Sequence, residues 1–578
     1  MLLAIILIIS ILCGGGFYTF VYGAAGIAEA ALLSLYVHKK KTLRIPWSGF
    51  GLAIAVCGVF SILVPLWAVD GVMAWDGTVR MITVGLFFLL IMQEGPGISS
   101  FRRITKDFLH IISAVTVIIS LILSLIPATR DYVLVSGRLG GSFMYPNTYA
   151  LFLLVSMIAG LAVISGKIKH KSSRLGLALD ICSVALCLVG FVLTGSRGAF
   201  LVAFIILVLA LIIGAVRLSS KSAKILCGGV AVALLLCIGI GAFFLFNKGV
   251  DPIRLSTMWG RLLYDIDALR IIASHPQGLG YYGYYFIQGS MQSGVYSVVN
   301  VHNEYLQLLL DLGVVPGLFL FGTLVVKLVK AIRDKSENRQ GIAVPLIITA
   351  VALHSFIDYD MQFLPMVMIA LLMITDGDTA SERVRNVDIK VPGQIGFAVL
   401  AIIAVVFFGK MGLCDLMYVS GHSEAALAIT SEHTMALKDI MISSDDETAL
   451  LAADSVLSHN KYDTISNLIK ARTFFSEGDI QRFIEYERKA METSPYDISI
   501  YEEYLTLLDY VVDQYVEMGD MDSAAYAVRC MQEIPEELER LRDRTSPLAF
   551  MIKDQPQLSL DDTYVNMIEI DINKVDFQ

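Results

Sequence analysis

The sequence predicts an all-α protein: a polytopic transmembrane bundle of about 12–13 helical spans followed by an extracytoplasmic α-helical domain. Three observations carry this expectation. Of 578 residues, 56% are hydrophobic and 17% charged, with mean hydropathy +0.67, whereas a soluble domain is about 45–50% apolar and about 25% charged. Apolar stretches of about 20 residues, the length that crosses a bilayer, recur through the first 416 residues. The charge then changes sign. From Met417 onward roughly 32 acidic residues face 13 basic ones, about −19 net, which leaves about +10 for the rest within a total of −9. The chain therefore divides into a membrane region, 1–416, and a helical outer region, 417–578.

The spans fall near 2–16, 18–37, 47–68, 78–93, 107–126, 145–165, 175–193, 199–216, 225–246, 304–329, 342–357, 362–376 and 393–412. Residues 2–37 read either as two spans or as one long helix. No basic stretch precedes the first apolar run, and Leu12 rather than a small residue precedes Cys13, so this run reads as an uncleaved span. The eight cysteines lie almost entirely in apolar runs and read as small buried hydrophobes, not as a disulfide frame or metal site.

Basic clusters fix sidedness. They are Lys39–Arg44, Arg102–Lys106, Lys167–Arg174, Arg217–Lys224, Lys330–Arg339 and Arg383–Lys390, one in every second loop. The positive-inside rule makes those loops cytoplasmic. The alternate loops, on the outer side, hold the polar motifs. Arg138 opens Arg138-Leu-Gly-Gly-Ser-Phe-Met-Tyr-Pro-Asn-Thr148, where Gly140, Gly141, Pro146 and Asn147 make a turn into a helix. Arg197 sits in Leu193-Thr-Gly-Ser-Arg-Gly198, where a snorkelling interface arginine is the plainer reading. The long loop 247–303 carries Arg254, Arg261 and Arg270. The last two have spacing suited to an interfacial amphipathic helix that turns Leu262, Leu269 and Ile272 toward lipid or protein. Gly278 and Gly280 then make a turn, and Tyr281, Tyr282, Tyr284 and Tyr285 read as an interfacial belt.

His302-Asn303 closes that loop at the mouth of a span. An imidazole titrates near neutral pH, and guanidinium groups grip phosphate bidentately, so together they point to chemistry on a lipid-linked phosphate. His275 reads as a helix-end residue. His354 is placed to pair with Asp358 one turn on. Asp265-Ile-Asp267 and Asp358-Tyr-Asp360 have the shape of paired metal carboxylates, but two carboxylates alone are weak evidence, and neither metal nor cofactor is predicted.

In this order, Gly141-Ser-Phe-x-x-Pro-Asn-Thr148, Leu193-Thr-Gly-Ser-Arg-Gly198, Arg261 before His275-Pro276, Gly278-x-Gly280, His302-Asn303-x-Tyr-Leu306 and His354-Ser-x-x-Asp358 resemble the O-antigen ligase and O-antigen polymerase superfamily of membrane glycosyltransferases. The resemblance covers roughly residues 130–375. It implies a metal-independent enzyme that takes a glycan from an undecaprenyl-diphosphate-linked donor on the outer face of the cell membrane. It further implies that Arg197 and Arg261 hold the donor diphosphate and that His302 activates the acceptor hydroxyl, with Arg138, Asn147, Arg270, Asn303 and Asp358 in support. Tyr264-Asp265 stand where the family has a tryptophan. Expected partners are the lipid-linked glycan, a glycan, lipid or protein acceptor, and membrane lipid, with no nucleic acid. A flippase for lipid-linked glycan, a protein O-oligosaccharyltransferase of the same family and a sensor are the rival readings. The flippase predicts two related halves with Gly/Pro-broken midplane spans, which this sequence lacks.

The outer region reads as helices over Asn460–Ser476, Ile480–Thr493, Ile498–Met518 and Ser523–Arg544. Gly478-Asp479 and Gly519-Asp520 punctuate them, Pro495 and Pro535 follow about 40 apart, and Ala471, Ala490 and Pro495 partly fit a tetratricopeptide pattern at wider spacing. A short helical-repeat domain that binds a protein partner or guides the acceptor is the expectation. The stretch from Pro547 reads as mixed, with a short strand or disorder.

Overall fold

The computed structural model describes residues 2–93, 96–171, 173–217, 229–230, 255–333, 343–375, 384–552 and 558–576. The 225–246 span and Arg254 lie outside the described residues. The protein is all-α, and two short antiparallel pairings are the strands among the described residues. It divides into two compact units: Met1–Val64, Trp75–Ile253 and Val301–Val419 form the first, and Pro65–Ala74, Arg254–Asn300 and Ser420–Gln578 form the second.

Among the described residues, seven helices are long and apolar enough to cross a membrane: Thr19–Lys40, Gly49–Leu66, Gly71–Ile91, Ile98–Ser124, Pro146–Lys169, Arg174–Leu193 and Val391–Val419. Other expected spans come out shorter. Leu2–Leu12, Ala343–His354 and Leu364–Thr375 have 11, 12 and 12 residues, and at about 1.5 Å per residue they fall well short of a bilayer core of about 30 Å. Residues 2–37 form two helices, broken where Gly14, Gly15 and Gly16 all take positive φ. The 304–329 span divides at Gly313 (φ 95°) into Glu304–Leu312 and Val314–Arg333.

Small residues bring the helices of this bundle close. A Cβ on Gly23 would stand 2.9 Å from the Phe408 carbonyl oxygen, and one on Gly412 would stand 3.4 Å from the Phe20 Cα, so Thr19–Lys40 and Val391–Val419 pack backbone to backbone. The buried Asp180 carboxylate meets the Lys167 ammonium at 2.6 Å and His110 at 3.2 Å, the pairing a buried charge requires. Thr42–Pro46 pairs antiparallel with Val384–Asp388. These strands lie in two loops read above as cytoplasmic, and their pairing supports the alternation drawn from the basic clusters. Among the described residues six cysteines are free; Cys57, Cys187, Cys414 and Cys530 are buried, whereas Cys13 and Cys182 are exposed.

The second unit is built on aspartate-capped helices. Asp445, Asp463, Asp479, Asp497 and Asp520 each cap the helix that follows, their carboxylates accepting backbone N–H bonds from Thr448, Ser466, Arg482, Ser499 and Ser523. Gly478 (φ 77°) and Gly519 (φ 76°) end the preceding helices in the left-handed region. Ile480–Thr493 and Ile498–Met518 match the expected bounds, and Thr464–Ser476 and Met521–Arg544 lie within a few residues of them. Pro535 sits inside Met521–Arg544, as the expected helix Ser523–Arg544 has it, and the packing of Met531, Ile534 and Leu538 in the core carries the helix past one missing donor. One expectation needs correction. The end is neither strand nor disordered throughout: Asp562–Asp576 is a helix, anchored through Ile568 in the same core.

Glu487 is fully buried in that core, and neither of its carboxylate oxygens has a hydrogen-bond partner. Burial, reinforced by Glu503 and opposed by Arg472, pushes its pKa from 4.5 up to about 8. Between those values the folded protein holds a proton that the unfolded chain releases, so the tail loses stability as pH rises from about 4.5 to about 8. Glu487→Gln is therefore expected to raise the melting temperature relative to the parent by an amount that grows from pH 4 to pH 8. A difference that stays constant over that range contradicts the assignment.

Candidate functional site

In the first unit, three stretches distant in sequence meet around one carboxylate. Pro146 begins the helix Pro146–Lys169 after the tight turn Gly141–Phe143. Gly141 has φ +58°, and a Cβ there would run into the Tyr149 ring. This turn sets Tyr145 and Asn147 on either side of Pro146. Asn303 caps the helix Glu304–Leu312, its side chain accepting from the Tyr305 and Leu306 amides at 3.2 and 3.3 Å. The cap fixes His302 just ahead of the first turn. Between the helices Ala343–His354 and Leu364–Thr375, the connection 355–363 supplies Asp358 and Asp360.

Asp358 is the hub. One oxygen lies 3.3 Å from His302 Nδ1 and accepts from the Tyr145 hydroxyl at 2.8 Å. The other accepts from Asn147 Nδ2 at 2.7 Å. The Tyr145 hydroxyl also lies 3.5 Å from His302 Nδ1. The His302 side chain keeps 19% exposure while Asp358 keeps 1%, so a buried carboxylate backs a reachable imidazole. Tyr359 packs beside the His302 ring at 5.2 Å between centroids and stacks on Tyr145 at 5.1 Å. Because Nδ1 faces the carboxylate, the network assigns its proton there and leaves the basic lone pair on Nε2.

Arg138 links this cluster to the Arg197 turn. Its NH2 donates to Asn147 Oδ1 at 2.7 Å, and its Nε donates to the Thr194 carbonyl at 2.8 Å. Thr194 and Gly195 (φ +56°) form the turn into the helix Arg197–Arg217, which Arg197 opens as an exposed residue. Gly198 lies against Ile357 and His354, so the Arg197 turn also rests on the Asp358 connection.

One pairing differs from expectation. His354 does not pair with Asp358; its Nδ1 lies 2.6 Å from Asp360, which also accepts from Thr148 Oγ1 at 2.8 Å. Asp358 starts the irregular connection beyond the helix end, so helical i, i+4 spacing does not apply to it. The two carboxylates of Asp358-Tyr-Asp360 thus serve two different histidines.

Arg261 and Arg270 belong to the second unit, on the helix Leu255–Ser274. Arg270, 58% exposed, is paired with Asp267 at 3.0 Å, and buried Asp267 also accepts from the Ser293 amide and hydroxyl and the Tyr296 hydroxyl. Tyr264, at the family's tryptophan position, is buried against Tyr296 at 5.2 Å. Leu262 and Leu269 are exposed, and Ile272 is buried against protein. His275 ends its helix, with Ser274 Oγ at 2.9 Å from Nδ1. In the tyrosine run Tyr281 and Tyr284 are buried and Tyr282 and Tyr285 half-buried, because Gly283–Met291 is a short helix whose inner face carries Tyr284, Phe286 and Ile287.

Sequence reasoning missed Tyr145. Aromatic residues are frequent near membrane interfaces, and its place inside the 138–148 motif, two residues before Asn147, was the one available signal. Glu304 was missed as well: its carboxylate accepts from the Met361 amide at 3.1 Å and Gln362 Nε2 at 3.3 Å, which clips the Asp358 connection to the helix behind His302.

Residues 182–322 match the family model Wzy_C, described as O-antigen ligase. No curated protein and no solved structure matches the chain. The match takes in the 193–198 turn, the arginine helix and the His302–Asn303 cap, three of the motifs set out above. Residues 182–322 thus carry an O-antigen ligase segment, and the long apolar helices mark a multi-pass membrane protein.

Proposed function

We propose that this protein is a membrane glycosyltransferase that moves a glycan from an undecaprenyl-diphosphate-linked donor to an acceptor hydroxyl on the outer face of the cell membrane. The observation that carries the proposal is the Asp358 carboxylate on Nδ1 of His302, in a cluster that runs through Asn147 and Arg138 to the turn bearing Arg197. In this reading His302 Nε2 takes the proton of the acceptor hydroxyl as its oxygen attacks the anomeric carbon. The carbon–oxygen bond to the diphosphate breaks, and the leaving group gains negative charge. Arg197 and Arg261 stabilise that charge through charge-assisted, bidentate contacts. One displacement of this kind inverts the anomeric centre, so a product of retained configuration rejects it. No metal is assigned a step. The outer helical domain is read as a repeat-like module serving the reaction.

The test is to give the purified protein a lipid-linked oligosaccharide and candidate acceptors and to identify products by mass. Transfer with release of undecaprenyl diphosphate is the expected result. Movement of intact donor across vesicles without bond cleavage supports the flippase instead. A single added glycan marks a ligase and a ladder of lengths marks a polymerase. Arg197→Ala and Arg261→Ala are each expected to lower kcat/KM by about 100-fold, chiefly through the donor KM. A kcat/KM unchanged in both variants removes the arginines from the mechanism.

A further inference from the structure

We infer that the C-terminal region is a brace that holds the Arg261 helix in its working position. This rests on the reading of Arg261 as a donor-binding residue, and it gives residues 420–578 a task in the reaction itself. Four contacts within the second unit carry the inference. The backbone of Ser546 donates to the Ser293 carbonyl at 2.8 Å, on the stretch whose own amide and hydroxyl hold Asp267 of the arginine helix. Ala549, fully buried, fills the space over Gly294, where a Cβ would stand 2.5 Å from the alanine Cβ and 2.9 Å from Leu263 of the arginine helix. Ile552 lies 3.8 Å from the Cβ position of Gly260, next to Arg261. Finally, a Cβ on Gly289 would collide with the Thr493 carbonyl oxygen, so the loop helix Gly283–Met291 seats on the end of Ile480–Thr493.

The physical logic is preorganisation. A helix carrying a cation for a developing diphosphate must be held to within a fraction of an ångström, and a misplacement of about 1 Å can cost about 100-fold. Most of a helix's stability in a protein comes from tertiary packing rather than from its own propensity. The helix Leu255–Ser274 therefore needs tertiary support. Asp267 supplies the local tie, and the 546–552 stretch fastens that tie to the folded tail.

Two full-length variants test this: Gly289→Val, which blocks the seat on Thr493, and Ser546→Pro, which deletes the bond to Ser293 and leaves the tail's core helices untouched. In both, amide exchange over 255–274 is expected to accelerate while exchange over 498–541 stays slow, and the donor KM is expected to rise by about 100-fold with the acceptor KM unchanged. Exchange over 255–274 as slow as in the parent in both variants overturns the brace, as does accelerated exchange with a donor KM within about twofold of the parent. If Gly289→Val also loosens 498–541, Ser546→Pro alone decides. Arg261→Ala is measured alongside. A parent-like donor KM there breaks the functional reading of Arg261, while the exchange data still report whether the tail holds the helix.

Discussion

His302→Ala is expected to lower transfer by about 100- to 10,000-fold, the range a positioned general base contributes, while the protein accumulates in the membrane at parental levels. The imidazole is 19% exposed and sits outside the apolar core, so its removal leaves no large cavity. Asn303, which caps the helix, is untouched, and the fold around the site is expected to persist. Donor affinity should change little, because the lost interaction acts on the acceptor proton. The measurement is single-turnover transfer with saturating lipid-linked donor, together with donor binding. Parental product from this variant removes His302 from the base role, and loss of donor binding in step with transfer indicates a collapsed site instead.

Asp358→Asn has the second largest expected effect. Three groups converge on this carboxylate: His302 Nδ1, the Tyr145 hydroxyl and Asn147 Nδ2. A carboxylate accepts from all of them, whereas an amide has one accepting oxygen and must turn its NH2 group toward one of the donors. If that group faces His302, the ring proton moves to Nε2, and the nitrogen assigned to the acceptor loses its lone pair. Swapping a carboxylate for an amide behind a catalytic imidazole costs up to about 10,000-fold through this tautomer reversal, and the loss here is bounded by that of His302→Ala. Because Asp358 acts through His302, the double variant His302→Ala/Asp358→Asn should be no slower than His302→Ala alone. Additive losses in that cycle place Asp358 in a separate role and refute the coupling.

The same geometry explains why some of the site was legible in the chain and some was not. His302, Asn303, Arg138, Asn147, Arg197 and Asp358 could be nominated because ionisable or amide groups beside apolar spans are costly there and stand out. Their grouping could not be derived from spacing. Asp358 pairs with His302, 56 positions away, and not with His354, its neighbour by helical count, because the helix ends at His354 and the chain reverses before Asp360. Tyr145 was invisible for a different reason: a tyrosine at a span entrance has a sufficient explanation in the interface itself.

What the sequence by itself determined was the class of the protein and the punctuation of its helices. Hydropathy and alternating basic loops are sums over many residues, so they survive errors at any one of them. Aspartate caps and left-handed glycines such as Gly478 and Gly519 act through their own backbone and need no distant partner. Only the tertiary structure decided which apolar runs are long enough to span, that Asp358 backs His302 while Asp360 takes His354, and that the loop helix bearing Arg261 shares a unit with the C-terminal tail. Each of those depends on groups far apart in the chain whose burial or pairing energy outweighs the local preference, and local preference is all that a one-dimensional reading contains.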